Sequence, residues 1–136
     1  MSEYLLPSIS NGNQIEQALI RKWWYINHQG RGLLIWEYYM LGNYIDAVWF
    51  PNSTDSKELY GKGISKLYPL SGHEVVLLEA KGKLSHGLIG QGLVYKVLAE
   101  RAGAIIQDVC IFAQSGTETM EFAARTLGLS VVVAPL

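Results

Sequence analysis

Tyr44-Ile45-Asp46-Ala47-Val48-Trp49-Phe50 and, further on, Val75-Val76-Leu77-Leu78-Glu79-Ala80-Lys81 are the two stretches that decide the fold. Both are short, apolar and rich in β-branched or aromatic residues, which is the pattern of strands in a sheet. In a strand, residues i and i+2 share a face about 7 Å apart. Glu79 and Lys81 therefore share one face, and Val76, Leu78 and Ala80 pack on the other. Charged side chains are rarely buried without a partner or a purpose. An Asp opening one apolar strand and a Glu-x-Lys closing another are thus the first candidates for chemistry.

Working outward, Leu33 to Met40 reads as a strand, Gly42-Asn43 as a turn and Tyr44 to Phe50 as the returning strand of a hairpin, ended by Pro51. Upstream, Asn11 or Asn13 can cap a helix running to about Asn27, with Ile15, Ala18, Leu19, Trp23 and Ile26 facing the core. His28-Gln29-Gly30-Arg31-Gly32 breaks it. The segment from Asn52 to Gly72 is long for a structureless connection, so it is either functional or holds a short helix. Glu74 to Lys81 is the third strand. Ser85 caps a helix ending near Arg101, whose Gly87, Gly90 and Gly92 point to close packing on the sheet or close approach of a ligand. Ile105 to Ala113 is a fourth strand. Ser115-Gly116-Thr117-Glu118 carries capping-box spacing before a helix to about Leu127, Gly128 terminates that helix, and Ser130 to Ala134 is a last short strand. The order α-β-β-β-α-β-α-β specifies an α/β domain over residues 1–136, a central mixed β-sheet flanked by helices.

The 136 residues suit one domain and one core, with 49% hydrophobic and 17% charged residues. No apolar run approaches the roughly 20 residues of a membrane span, and the first residues lack the pattern of a secretion signal. The single cysteine, Cys110, permits no internal disulfide and no multi-cysteine metal site, and reads as a buried core thiol. A cytoplasmic location is the expectation. The net charge of −1, from 11 basic and 12 acidic residues, is not that of a general nucleic-acid coating protein, although a local basic rim suffices for a nuclease.

Asp46, Glu79 and Lys81 in this context resemble the PD-(D/E)XK nuclease superfamily over about residues 13–113. The resemblance implies a restriction-endonuclease-like core and metal-dependent hydrolysis of DNA. Asp46, Glu79 and the carbonyl of Ala80 would hold Mg²⁺, with Mn²⁺ able to substitute, because a hard cation takes oxygen ligands and keeps several waters. Lys81 would orient or deprotonate the attacking water, or steady the phosphate. Gln91 and Tyr95, four apart on the crossover helix, match the Gln-x-x-x-Tyr of RecB-type members. Glu16 matches an acid that many members carry on the first helix. Ile45 replaces the proline of the written pattern.

Lys83 is a candidate phosphate contact, and His86 at a helix start a candidate anion contact. Arg31, Lys57, Lys62 and Lys66 are loop cations able to meet backbone phosphates. Glu37 lies mid-strand and faces either the site or solvent. Trp23, Trp24, Tyr25, Trp36, Tyr38, Tyr39, Tyr44, Trp49 and Phe50 crowd the first helix and hairpin. Since strand residues alternate in face, they cannot share one core, and exposed ones suit base stacking or, the favoured reading, a homodimer interface. The expectation is a single-domain DNA nuclease acting as a homodimer, with a protein partner as one source of specificity. The competing readings are a non-catalytic subunit or regulatory module of the same fold, and an unrelated α/β protein whose acids are incidental.

Overall fold

The computed structural model describes residues 11–61 and 63–135. Helix α1 (Asn11–His28) is followed by strands β1 (Leu33–Met40), β2 (Asn43–Phe50) and β3 (Lys57–Tyr60) and the short helix α2 (Ile64–Leu67). Then come β4 (Glu74–Lys83), α3 (His86–Arg101), β5 (Ile105–Ser115), α4 (Glu118–Thr126) and β6 (Ser130–Val133). The strands form one six-stranded sheet in the order β3-β1-β2-β4-β5-β6. β2 runs antiparallel to both of its neighbours, β1 and β4, while β3 lies parallel to β1, and β5 and β6 continue parallel to β4. A mixed sheet flanked by helices is therefore the architecture, as the element pattern specifies.

Each face of the sheet has its own core. On one, Leu19, Ile20 and Trp24 of α1 cover Leu34, Trp36, Ala47, Trp49, Val76, Leu78, Ala80, Cys110 and Phe112. On the other, Leu88, Ile89, Tyr95 and Ala99 of α3 and Ala124 of α4 cover Leu33, Ile35, Tyr38, Ile45, Val48, Phe50, Val75, Leu77, Val109 and Ile111. Burial pushes the Cys110 thiol up to about 12, as befits a core thiol. Six of the nine crowded aromatics belong to these two layers or pack against them; Tyr25, Tyr39 and Tyr44 are the exposed remainder on the helix and hairpin.

Several local expectations shift. In α1 the buried stripe runs through Gln17, Leu19, Ile20 and Trp24, while Ile15 and Ile26 are exposed. Leu19 lies on both stripes, and the observed one is rotated by roughly a third of a turn toward Gln17, Ile20 and Trp24. Asn13 is already helical, and the side chains of Asn11 and Asn13 lie outside the described residues, as does Lys62. The hairpin turn is Leu41-Gly42, both with positive φ (48° and 83°), a two-residue turn whose twist matches its strands. The cap of α4 is Thr117, accepting from Met120 N–H at 3.2 Å, because β5 runs on through Ser115. Ser85 caps α3 as expected, accepting from Leu88 N–H. Gly92 does pack closely, since a Cβ there would lie 3.2 Å from Ile111, whereas Gly90 faces open space.

The 52–72 connection holds both an edge strand and a short helix. Glu58 on β3 is buried and accepts from Arg21 of α1 (2.9 Å) and from the Trp36 indole of β1 (2.8 Å). Ser65 of α2 accepts from Tyr39 N–H (2.9 Å), and the Tyr38 hydroxyl donates to Tyr68 O (2.6 Å). The connection thus clamps the outer edge of β1.

Candidate active site

The β2–β4 ladder is short. Its paired residues are Ala47 with Leu78, Val48 with Leu77 and Trp49 with Val76. At the next level, Asp46 and Glu79 replace backbone pairing with side chains. Asp46 N–H donates to a Glu79 carboxylate oxygen (2.7 Å), and Ala80 N–H donates to an Asp46 carboxylate oxygen (2.8 Å). Each acid is thus fixed by the other strand's backbone, and the two strands part where the acids meet.

A second irregularity lies at the same level. Trp36 and Ala47 face the α1 core, yet Tyr38 and Ile45, two residues further on, face the α3 core. Strict alternation would keep i and i+2 on one face, so both strands step out of phase between them, at Glu37 and Asp46. Glu37 absorbs the step with φ +51°, a left-handed conformation that a non-glycine residue adopts at a cost of order 1 kcal/mol or more. The register across the hairpin is kept, which places Glu37 opposite Asp46. Glu16, Gln17, Ile20, Glu37 and Asp46 line a cavity of about 10 Å³, room for one water-sized species.

The electrostatics follow from burial and crowding. Glu79 is 1% exposed, while Lys81 on the same face reaches solvent. Burial, then the Asp46 charge, raise the Glu79 carboxyl above its ordinary 4.5. Burial likewise raises Asp46; the Ala80 N–H opposes this, and Glu16 adds to it. Glu16 is raised by partial burial and lowered by Lys81. Tyr95, hydrogen-bonded to Gln91, is raised by burial and by Glu79. Lys81 is exposed and acts on Glu16, Asp46 and Glu79 alike.

Asp46, Glu79, Lys81, Glu16, Gln91 and Tyr95 are therefore brought together, from four elements. Lys83 and His86 are exposed at the same end of the sheet, beyond Lys81 and at the start of α3. Arg31 is not part of this group. It precedes Leu33, which pairs with Phe50 at the far end of the hairpin, roughly 13 Å along the strand from Asp46. Lys57 sits at that far end too. There Arg31 O accepts from the indoles of Trp24 (2.8 Å) and Trp49 (2.7 Å), a structural role. His28 packs against Trp23 and Trp49, and His73 against Phe50. The spacing arguments left Glu37 open and passed over Tyr60, whose hydroxyl bonds Glu37. The hairpin register carried a signal for Glu37, since a Leu41-Gly42 turn sets it against Asp46.

Among the described residues, no three His, Cys, Asp or Glu side chains converge closely enough to form a metal cage. Two carboxylates and a carbonyl are a smaller donor set, and they suit a hard cation here. One oxygen of each acid is tied to backbone, and the other has no hydrogen bond among the described residues. The N–H and C=O of a strand residue point to the same edge, so the Ala80 carbonyl lies on the Asp46 side.

Folding the cation-free protein takes up protons at Glu79, because its folded value lies above the unfolded one. That contribution is complete below the ordinary 4.5 and is lost as pH rises toward the folded value. Thermal melts in EDTA should therefore show Tm falling from mildly acid to mildly alkaline pH. Added Mg²⁺ should flatten the fall by compensating the two charges.

No protein-family model, curated protein or solved structure matches the chain. Among the described residues, no helix is long and apolar enough to cross a membrane.

Proposed function

We propose that the protein is a Mg²⁺-dependent deoxyribonuclease with a restriction-endonuclease-like core. The observation that supports this reading most is the pair of acids, half-buried Asp46 and buried Glu79, held by each other's backbone at a strand split beside an exposed lysine. Among the described residues, these acids have no cationic partner at ion-pair distance. Buried like charges are costly, and a divalent cation offsets that cost.

Asp46, Glu79 and the Ala80 carbonyl would hold the cation, which when bound supplies Lewis-acid neutralisation of the phosphodiester. The chain's own groups do the rest. Lys81 stands on the Glu79 face of β4 and presents its ammonium to the phosphate oxygens or to the attacking water. Glu16 faces Lys81 and Asp46 and accepts a proton or a hydrogen bond from that water. Gln91 holds the Tyr95 hydroxyl beside Glu79, fixing the wall of the site. Lys83 and His86 extend the cationic rim along which a phosphate backbone would run.

The test is incubation with supercoiled plasmid, single-stranded DNA and a four-way junction in Mg²⁺ or Mn²⁺, beside Lys81→Ala and EDTA controls. Cleavage should be lost in EDTA and reduced roughly 10²–10⁴-fold by Lys81→Ala, the range for a proton-transferring or charge-stabilising group. Folded wild-type protein that cuts none of the three substrates would favour a non-catalytic module of this architecture.

A further inference from the structure

Beyond the acids, the hairpin ends in Tyr38-Tyr39-Met40-Leu41-Gly42-Asn43-Tyr44-Ile45, a tip without a charged residue. Tyr38, Met40 and Ile45 point into the α3 core, so Tyr39 and Tyr44 project from the opposite, α1 face. They are cross-strand partners with ring centroids 5.1 Å apart, and remain 38% and 43% exposed. That is the face onto which Glu37 and Asp46 open beside Glu16. Tyr44 precedes Asp46 by two residues and Tyr39 follows Glu37 by two, about 7 Å along the strands.

We propose that the Tyr39–Tyr44 pair is a stacking platform for an unpaired base of single-stranded DNA, which makes a single-stranded region the preferred substrate of the adjoining acids. The proposal rests on the nuclease reading, but the binding can be measured apart from cleavage. Three observations favour a base as the occupant. The rings present amphipathic faces next to a site whose acids need a phosphate one step away. Ser65 accepting from Tyr39 N–H and the Tyr38 hydroxyl on Tyr68 O fix the strand that carries Tyr39, so the platform's backbone is in place before binding. The chain has a net charge of −1, so affinity must come from stacking more than from phosphate neutralisation.

Duplex DNA keeps its bases stacked on one another and offers no face to such a platform. A single strand does, and stacking on an aromatic side chain is sequence-tolerant because every base has a π-face.

The test measures binding of a single-stranded oligonucleotide carrying 2-aminopurine, in EDTA, by fluorescence and anisotropy, followed by Mg²⁺-dependent cleavage of matched single-stranded and duplex DNA. Wild-type protein should quench the probe. Tyr39→Ala and Tyr44→Ala should each weaken single-strand binding roughly ten-fold, and Tyr44→Phe should retain it. Tyr44→Leu keeps an apolar tip without a ring face and should lose binding too, which guards against misfolded alanine variants. The slope of log affinity on log salt should be about −1.4, as for two phosphate contacts at Lys81 and Lys83. Tyrosine-dependent quenching with no cleavage would leave the platform standing and overturn the nuclease. Cleavage that ignores all four substitutions would overturn the platform and leave the nuclease. A Tyr44-dependent dimer whose oligonucleotide binding is unaffected by the substitution would also overturn it, assigning the tip to a second copy of the chain.

Discussion

Asp46→Asn should make the cation-free protein more stable and abolish the proposed cleavage activity. The half-buried Asp46 carboxylate stands beside Glu79 and close to Glu16, and burial is the largest reason its proton is held more tightly than usual. Asparagine keeps an oxygen for the Ala80 N–H, which is the bond that shapes the strand split. It removes the charge that Glu79 must tolerate. Relief of roughly 1–2 kcal/mol is the scale expected when one of two crowded, buried acids becomes neutral. The Tm in EDTA should rise accordingly. The same change removes a ligand oxygen's charge, so Mg²⁺ should no longer raise the Tm, and cleavage should fall by roughly 10²-fold or more. Melting curves with and without Mg²⁺, beside plasmid cleavage, check both halves. Asp46→Asn protein less stable than wild type in EDTA would show that the acid pair is not a store of strain.

Glu58→Ala should be strongly destabilising although it lies outside the site. Glu58 is buried on an edge strand and takes hydrogen bonds from Arg21, from the Trp36 indole and, at 3.4 Å, from the Tyr25 hydroxyl. Alanine leaves a buried indole N–H without an acceptor and a half-buried guanidinium, stacked 5.0 Å over the Trp36 ring, without its counter-charge. Leaving one partner of such a pair behind costs about 2–4 kcal/mol, less than a fully buried pair because Arg21 reaches solvent. For a chain of this size that lowers Tm by roughly 8–15 °C. Glu58→Gln keeps an oxygen for Trp36 and should cost about half as much. Chemical denaturation of both variants, with circular dichroism as the probe, measures the difference. Loss of less than about 1 kcal/mol in Glu58→Ala would mean that the β3 edge is held by its backbone ladder alone.

The strands bearing the two acids were legible because their apolar runs are long and bounded by glycine or proline. Glu79, Lys81, Gln91 and Tyr95 were legible for the same reason: a period of two, or of 3.6, fixes which residues share a face. Three kinds of information escaped. β3 has four residues, two of them charged, and owes its existence to Glu58 reaching Arg21 and Trp36, a tertiary bond with no local signature. Arg31 looked like a loop cation beside DNA, but position along the hairpin sets its distance from Asp46, and register is a property of pairing. The left-handed Glu37 breaks the alternation on which strand reading depends, so its orientation could not be read from spacing. Ile15 and Ile26 misled because an apolar side chain on a helix need not lie on its buried stripe.

The ladder joining β2 to β4 has a further consequence for when the site can exist. One side of that join is an antiparallel hairpin with a two-residue turn, whose contacts are local and form early. The other side is a parallel unit closed through a helix, whose pairing must wait for chain far downstream. Asp46 belongs to the first and Glu79 to the second, and three residue pairs hold the halves together. A chain still being synthesised, or one opened locally along this seam, carries each acid on a separate folding unit. The paired acids would therefore meet only in the completed sheet, and hydrogen exchange at Ala47 and Leu78 would report how often they are parted.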